Sequence, residues 1–278
     1  MGAHKTGTTY INKLLLSNQT LLSDNGVLFR ASNEVLENIT MHLCKSLSVK
    51  DKSKIQKFVS HQDKEFEKII FSHENISGNI PSFVRNEGIY PNIYKRIRSL
   101  NDILDGRSID IVFFIRRYDG FILSCYSEYM RSMGYVPFEK FHNTVFHSEP
   151  SWVDVVDSIQ VAYPNAKLRV FEQNQIRTDA TRVVQHIMGL PDIMLKVPEA
   201  LEGRRSISDT GVNVLALMTC YGQEVIDKSF VNALSRLLPK QGPFDSINQL
   251  TEAEINKYKD LYLSHRQQLI SSGYLCHQ

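Results

Sequence analysis

The chain lacks the features that announce several kinds of protein. Cysteine occurs four times, at Cys44, Cys125, Cys220 and Cys276. No two stand at C-x-x-C spacing, so no local metal or redox motif exists and all four read as reduced, mostly buried thiols. No run of 18 apolar residues is present, so no transmembrane segment is expected. No excess of one charge stands out: 32 basic residues meet 30 acidic ones, for a net charge of +2. That balance argues against a nucleic-acid partner, whose binding rests on many phosphate contacts. There is no internal repeat and no low-complexity linker, so a single domain over 1–278 is expected. Met1 runs straight into a glycine loop with no apolar leader, which leads us to expect a cytoplasmic protein. What is present suits a globular α/β chain: 278 residues, 42% hydrophobic and 22% charged.

The most informative stretch is Met1-Gly2-Ala3-His4-Lys5-Thr6-Gly7-Thr8-Thr9-Tyr10. Two glycines allow a tight turn and close approach of a ligand to the backbone. Tyr10, Ile11, Leu14 and Leu15 mark one face of a helix starting near Thr8. A glycine-rich loop entering a helix offers free N–H groups at the positive end of the helix dipole, which makes an anion site. Lys5 adds a full charge. The order excludes the nucleoside-triphosphate loop G-x-x-x-x-G-K-[ST], because Lys5 precedes Gly7 and two threonines follow. The segment instead resembles the G-x-x-K-[ST]-G-T-T loop of sulfotransferases that use 3′-phosphoadenosine-5′-phosphosulfate (PAPS). That resemblance implies that His4, Lys5, Thr6, Gly7, Thr8 and Thr9 hold the 5′-phosphosulfate, with Lys5 at the oxygen bridging phosphate and sulfate.

The remaining pattern alternates strands and helices. Apolar runs at Gly26–Arg30, Lys68–Ser72, Ser108–Ile115 and Lys167–Glu172 read as buried strands. Helical periodicity lies between them: a helix capped by Asn33 and running to Leu47, one over 52–67, and others over 118–131, 152–161 and 178–188. Further helices are expected over 209–225 and 252–272. The alternation implies a parallel sheet flanked by helices, and the loop's resemblance implies that the sheet is P-loop-like. Its first strand appears truncated, since only Met1 precedes Gly2, and in such folds a buried strand leads into the phosphate loop.

A second motif sits at Arg116-Arg117-Tyr118 and Ser124-Cys125-Tyr126. It is similar to the family's R-D-P-x-x-R-x-x-S-x-Y pattern: Arg116, Ser124 and Tyr126 match, while Arg117, Tyr118 and Phe121 depart. The resemblance assigns Arg116 and Ser124 to the 3′-phosphate, and places Arg204 and Arg205 in a late basic segment over the nucleotide. Arg85, Lys95, Arg96 and Arg98 form a basic stretch that reads as a solvated face or as a contact for an acidic acceptor.

The implied activity is in-line transfer of a sulfuryl group from PAPS, with no metal, to an acceptor hydroxyl or amine. Lys5 would stabilise the leaving phosphate. Glu74, preferred over His73, would serve as base at the end of the Lys68–Ser72 strand; His4 is a weaker candidate. Ser151-Trp152-Val153-Asp154 resembles bacterial enzymes linked to surface sugars, so carbohydrate or glycolipid is the expected acceptor partner, with a small metabolite left open. Two alternatives stand beside this reading. One is a P-loop kinase-type phosphotransferase, disfavoured because Asp110 and Asp119 are misplaced for a metal-binding carboxylate at the strand end. The other is a catalytically inactive nucleotide- or anion-binding module.

Overall fold

Four short apolar runs make the strands. A computed structural model describes residues 4–43, 47–60, 66–104, 107–198, 206–222, 225–242 and 245–276. It is α/β: strands β1 (Val27–Arg30), β2 (Lys68–Phe71), β3 (Asp110–Ile115) and β4 (Lys167–Glu172) lie among helices α1 (Thr8–Ser17), α2 (Gln19–Asp24), α3 (Ser32–Val35), α4 (Val49–Ser60), α5 (Ile80–Arg85), α6 (Ile93–Ile103), α7 (Tyr118–Met133), α8 (Phe138–Val145), α9 (Trp152–Ala162), α10 (Gln173–Met188), α11 (Asp209–Cys220), α12 (Lys228–Leu237) and α13 (Glu252–Ser271).

The strands pair in parallel, as the alternation implied, but among the described residues they form two two-stranded sheets rather than one. β1 pairs with β2, Val27 opposite Lys68, and β3 with β4, Asp110 opposite Lys167. The outer edge of β4 is capped by a parallel bridge from Val170 to Leu275. The edge of β2 away from β1 and the edge of β3 away from β4 have no strand partner among the described residues. No described strand precedes α1. All four residues of β2 are only half-buried, whereas β3 buries Ile111, Phe113, Phe114 and Ile115.

Both faces of β3 are covered, as expected for parallel strands. Ile111, Phe113 and Ile115 join a large core with residues of α6, α7, α9 and α13. Phe114 and Phe171 turn the other way, into a smaller core with Val27, Phe29, Ile11, Leu14, Val183 and Val184 from β1, α1 and α10. Fully buried Trp152, Tyr118, Tyr126 and Phe121 fill the large core.

Several boundaries differ from the sequence reading. The helix expected from Asn33 to Leu47 is capped by Ala31 instead, and passes at Leu36–Thr40 into a π-helical turn. The helix placed over 52–67 starts earlier, because Ser48 and Asp51 cap each other: Asp51 N donates to Ser48 Oγ and Ser48 Oγ to Asp51 Oδ2. The helix placed over 209–225 stops at Cys220, and Asp227 caps a separate α12 through Phe230 N. Among the described residues no helix is long and apolar enough to cross a membrane.

Candidate functional site

The His4–Gly7 loop lies where the carboxyl ends of β2, β3 and β4 converge, the place where open α/β sheets bind ligands. Its backbone is unusual. Lys5 is left-handed at φ 63°, and so is Gly7 at φ 93°. Left-handed geometry costs a non-glycine residue about 1–2 kcal/mol, so Lys5 must be held there. Two donors hold it: Arg116 Nη1 and Gln173 Nε2 each donate to Lys5 O at 2.9 Å. Gly7 then caps α1, whose first turn closes through Tyr10 N to Gly7 O. The amides of Gly7, Thr8 and Thr9 have no hydrogen-bond acceptor among the described residues. Thr6 and Thr8 are buried and Thr9 is exposed.

On the β2 side the loop is fixed by a buried network. His4 N donates to Tyr90 Oη at 2.6 Å, and His4 Nδ1 lies 2.9 Å from the same oxygen. The phenol therefore accepts from the amide and donates to Nδ1, which leaves the imidazole proton on Nε2, 3.0 Å from Asn75 Oδ1. Burial lowers the His4 pKa, outweighing the nearby Glu74 carboxylate, which pulls the other way. His4 is thus a neutral, fully bonded histidine with no lone pair to spare. Tyr90, itself left-handed at φ 49° and fully buried, keeps its proton because burial pushes its pKa well up.

His73 and Glu74 behave differently despite adjacency. His73 is buried, and its Nδ1 accepts from Asn75 N at 3.1 Å, capping the 3-10 turn Glu74–Ile76. Burial lowers its pKa as well. Glu74 is exposed, and its charge is felt by His4, His73 and Tyr90. Arg96, read from sequence as part of a basic face, is instead buried: Nε donates to Ile76 O at 2.7 Å and Nη2 to Asn75 O, bracing this turn from α6.

On the β3 side the site is charged. Arg116 is largely buried against α7. A Cβ on Gly120 would stand 2.8 Å from Arg116 Nη2, so glycine is what lets the guanidinium lie across the helix start. Its carbonyl is pinned by Trp152 Nε1 at 2.8 Å. Nε and Nη2 have no protein acceptor among the described residues. One turn further along α7, Ser124 is half-buried, and its hydroxyl has no hydrogen-bond partner among the described residues. A further turn on, Glu128 takes Lys5 Nζ at 2.7 Å. Gly120, Ser124 and Glu128 thus form one stripe at four-residue spacing. Arg117 turns aside to Asp119, and Tyr126 is core, donating to Val136 O.

The structure therefore brings His4, Lys5, Thr6, Gly7, Arg116 and the His73–Glu74 segment to one place, with Ser124 on the helix face that carries Glu128. Arg204 and Arg205 lie outside the described residues. Sequence reading missed Asn75, Tyr90, Gln173 and Glu128. Only Glu128 left a signal, its four-residue step from Ser124; the others are joined to the loop by contacts across 71 to 168 residues. No group of three or more acidic, histidine or cysteine side chains is arranged to hold a metal among the described residues. No protein-family model matches the chain, and no curated protein and no solved structure matches it.

Proposed function

We propose that the chain is a PAPS-dependent sulfotransferase on a P-loop-like fold, acting on an acceptor hydroxyl or amine of a carbohydrate or glycolipid. The observation that carries this reading is the His4–Gly7 loop: a left-handed Lys5 and Gly7, free amides at Gly7–Thr9, and a lysine charge, all at the ends of parallel strands. These groups suit a 5′-phosphosulfate, and the free Nε and Nη2 of Arg116 with the unbonded Ser124 hydroxyl suit a second phosphate. PAPS would supply the activated sulfuryl group.

The chain's own residues would do the rest. Loop amides and Lys5 orient the donor and stabilise charge growing on its leaving phosphate. Glu74 is the base: it is exposed beside the loop, whereas the Nδ1 lone pair of His73 is occupied by Asn75 N and both nitrogens of His4 are bonded. Its carboxylate would take the acceptor's proton as the new S–O or S–N bond forms.

The test has two stages. Calorimetry with 3′-phosphoadenosine-5′-phosphate comes first; no binding would sink the reading. Transfer from labelled PAPS to carbohydrate, glycolipid and small-metabolite acceptors follows. Binding without transfer to any of them would favour the inactive module.

A further inference from the structure

Lys5 is the cation of the loop, and it is already engaged. Its Nζ lies 2.7 Å from Glu128 Oε2, and both side chains are about a third exposed, at 33% and 30%. The same oxygen lies 3.2 Å from Arg131 Nη1. Arg131 is anchored independently: its Nε donates to Asn232 Oδ1, and Asn232 Nδ2 donates to Arg131 O at 3.0 Å. Glu128 would therefore keep a partner if Lys5 left. Lys5, by contrast, has its backbone locked through Arg116 and Gln173 while only its side chain is free to swing. The arrangement is an exchange: one carboxylate, one fixed cation behind it, and one movable cation beside three unsatisfied amides.

We propose that Glu128 is a displaceable counter-ion that sets the affinity threshold of the loop for anions. The carboxylate occupies Lys5 until a ligand offers a better anion, and Lys5 then transfers to the ligand while Glu128 stays with Arg131. Any anion that needs Lys5 must first compete with Glu128. Weakly held inorganic anions such as sulfate then fall below useful occupancy, and a ligand that also fills the loop amides does not. Glu128 is a specificity-determining residue that acts through Lys5. The inference rests on the loop being an anion site, not on which nucleotide it takes.

The test is a double-mutant cycle read by calorimetry, with sulfate, pyrophosphate and 3′-phosphoadenosine-5′-phosphate as probes. Glu128→Gln should tighten every probe that uses Lys5 by about 2- to 5-fold, the scale of a lost partly exposed ion pair. In a Lys5→Met background the same change should matter by less than about twofold. If Glu128→Gln does not fold, Glu128→Asp shortens the reach by one methylene and should give a gain of the same sign, about twofold. Unchanged or weaker binding in the variant that folds would overturn the inference. So would an equal gain with and without Lys5, or no pyrophosphate binding at all. Tighter pyrophosphate with no nucleotide binding would uphold the counter-ion and remove the sulfotransferase reading.

Discussion

The two sides of the His4–Gly7 loop are built from opposite materials. Toward β2 the contacts are buried, neutral and mutually satisfied: His4, Tyr90, Asn75 and His73 share their donors and acceptors, with Arg96 bracing from below. Toward β3 they are charged and partly open to water: Lys5, Glu128, Arg131 and Arg116. Neutral buried bonds are costly to break and fix geometry. Half-exposed ion pairs are weak and easily exchanged. The loop is thus anchored on one side and exchangeable on the other, as an anion site needs if its backbone must be pre-formed and its cation must be available.

The comparison can be broken most severely at Lys5. Lys5→Ala should lower turnover by about 10²–10³-fold, as losing one charge-stabilising contact does, with little change in the urea midpoint, since the pair with Glu128 is partly exposed. Near-normal sulfuryl transfer would remove Lys5 from the chemistry. The neutral side should answer in the other currency, stability. Tyr90→Phe leaves His4 N and Nδ1 buried without their partner, a loss of about 1–3 kcal/mol by urea denaturation. A neutral result would show that the loop is not anchored there.

Arg116 and Ser124 sharpen the contrast, because sequence treats them alike and the structure does not. Arg116 also holds Lys5 in its left-handed state, so Arg116→Ala should weaken both PAPS and adenosine-5′-phosphosulfate, PAPS the more, and cost about 1–3 kcal/mol of stability. Ser124→Ala should weaken PAPS alone, by about tenfold, as loss of one hydrogen bond to a charged group would. Equal loss of the two ligands in Arg116→Ala would show the guanidinium to be a strut and no phosphate ligand.

The smallest effect is that of pH. Burial holds His4 and His73 below their ordinary value of 6.5 in the folded chain. The unfolded chain then binds more protons below that value, so stability is complete above about pH 6.5 and falls as pH drops toward the lowered folded-state values. Each histidine contributes a slope of at most about 1.4 kcal/mol per pH unit. His186 and His265 are lowered too and add to it. His73→Asn, which keeps a capping acceptor, should flatten the urea midpoint between pH 6.5 and 5; an unchanged slope would mean His73 titrates normally.

Much of the site was legible in sequence for a local reason. A glycine loop entering a helix, and an arginine at a strand end followed by a helix, are decided by residues within ten positions of each other, and the structure puts them together. Element boundaries fared worse where capping was reciprocal, as at Ser48 and Asp51, or where a helix wound into a π turn, as at Leu36–Thr40. Arg96 was misread because a basic residue on a helix looks solvated until its burial against the Asn75 and Ile76 carbonyls is known.

By itself the sequence determined the α/β alternation, the four strands and the loop that meets a helix at Thr8, since periodicity and glycine conformational freedom act over a few residues. The tertiary structure decided the rest. The strands divide into two sheets because edge pairing depends on which strands become neighbours. His4 is neutral because burial, among residues as distant as Tyr90, disfavours its charged form. Lys5 faces Glu128 because two carbonyl contacts hold its backbone left-handed, a direction that no local propensity favours and only long-range hydrogen bonds can enforce.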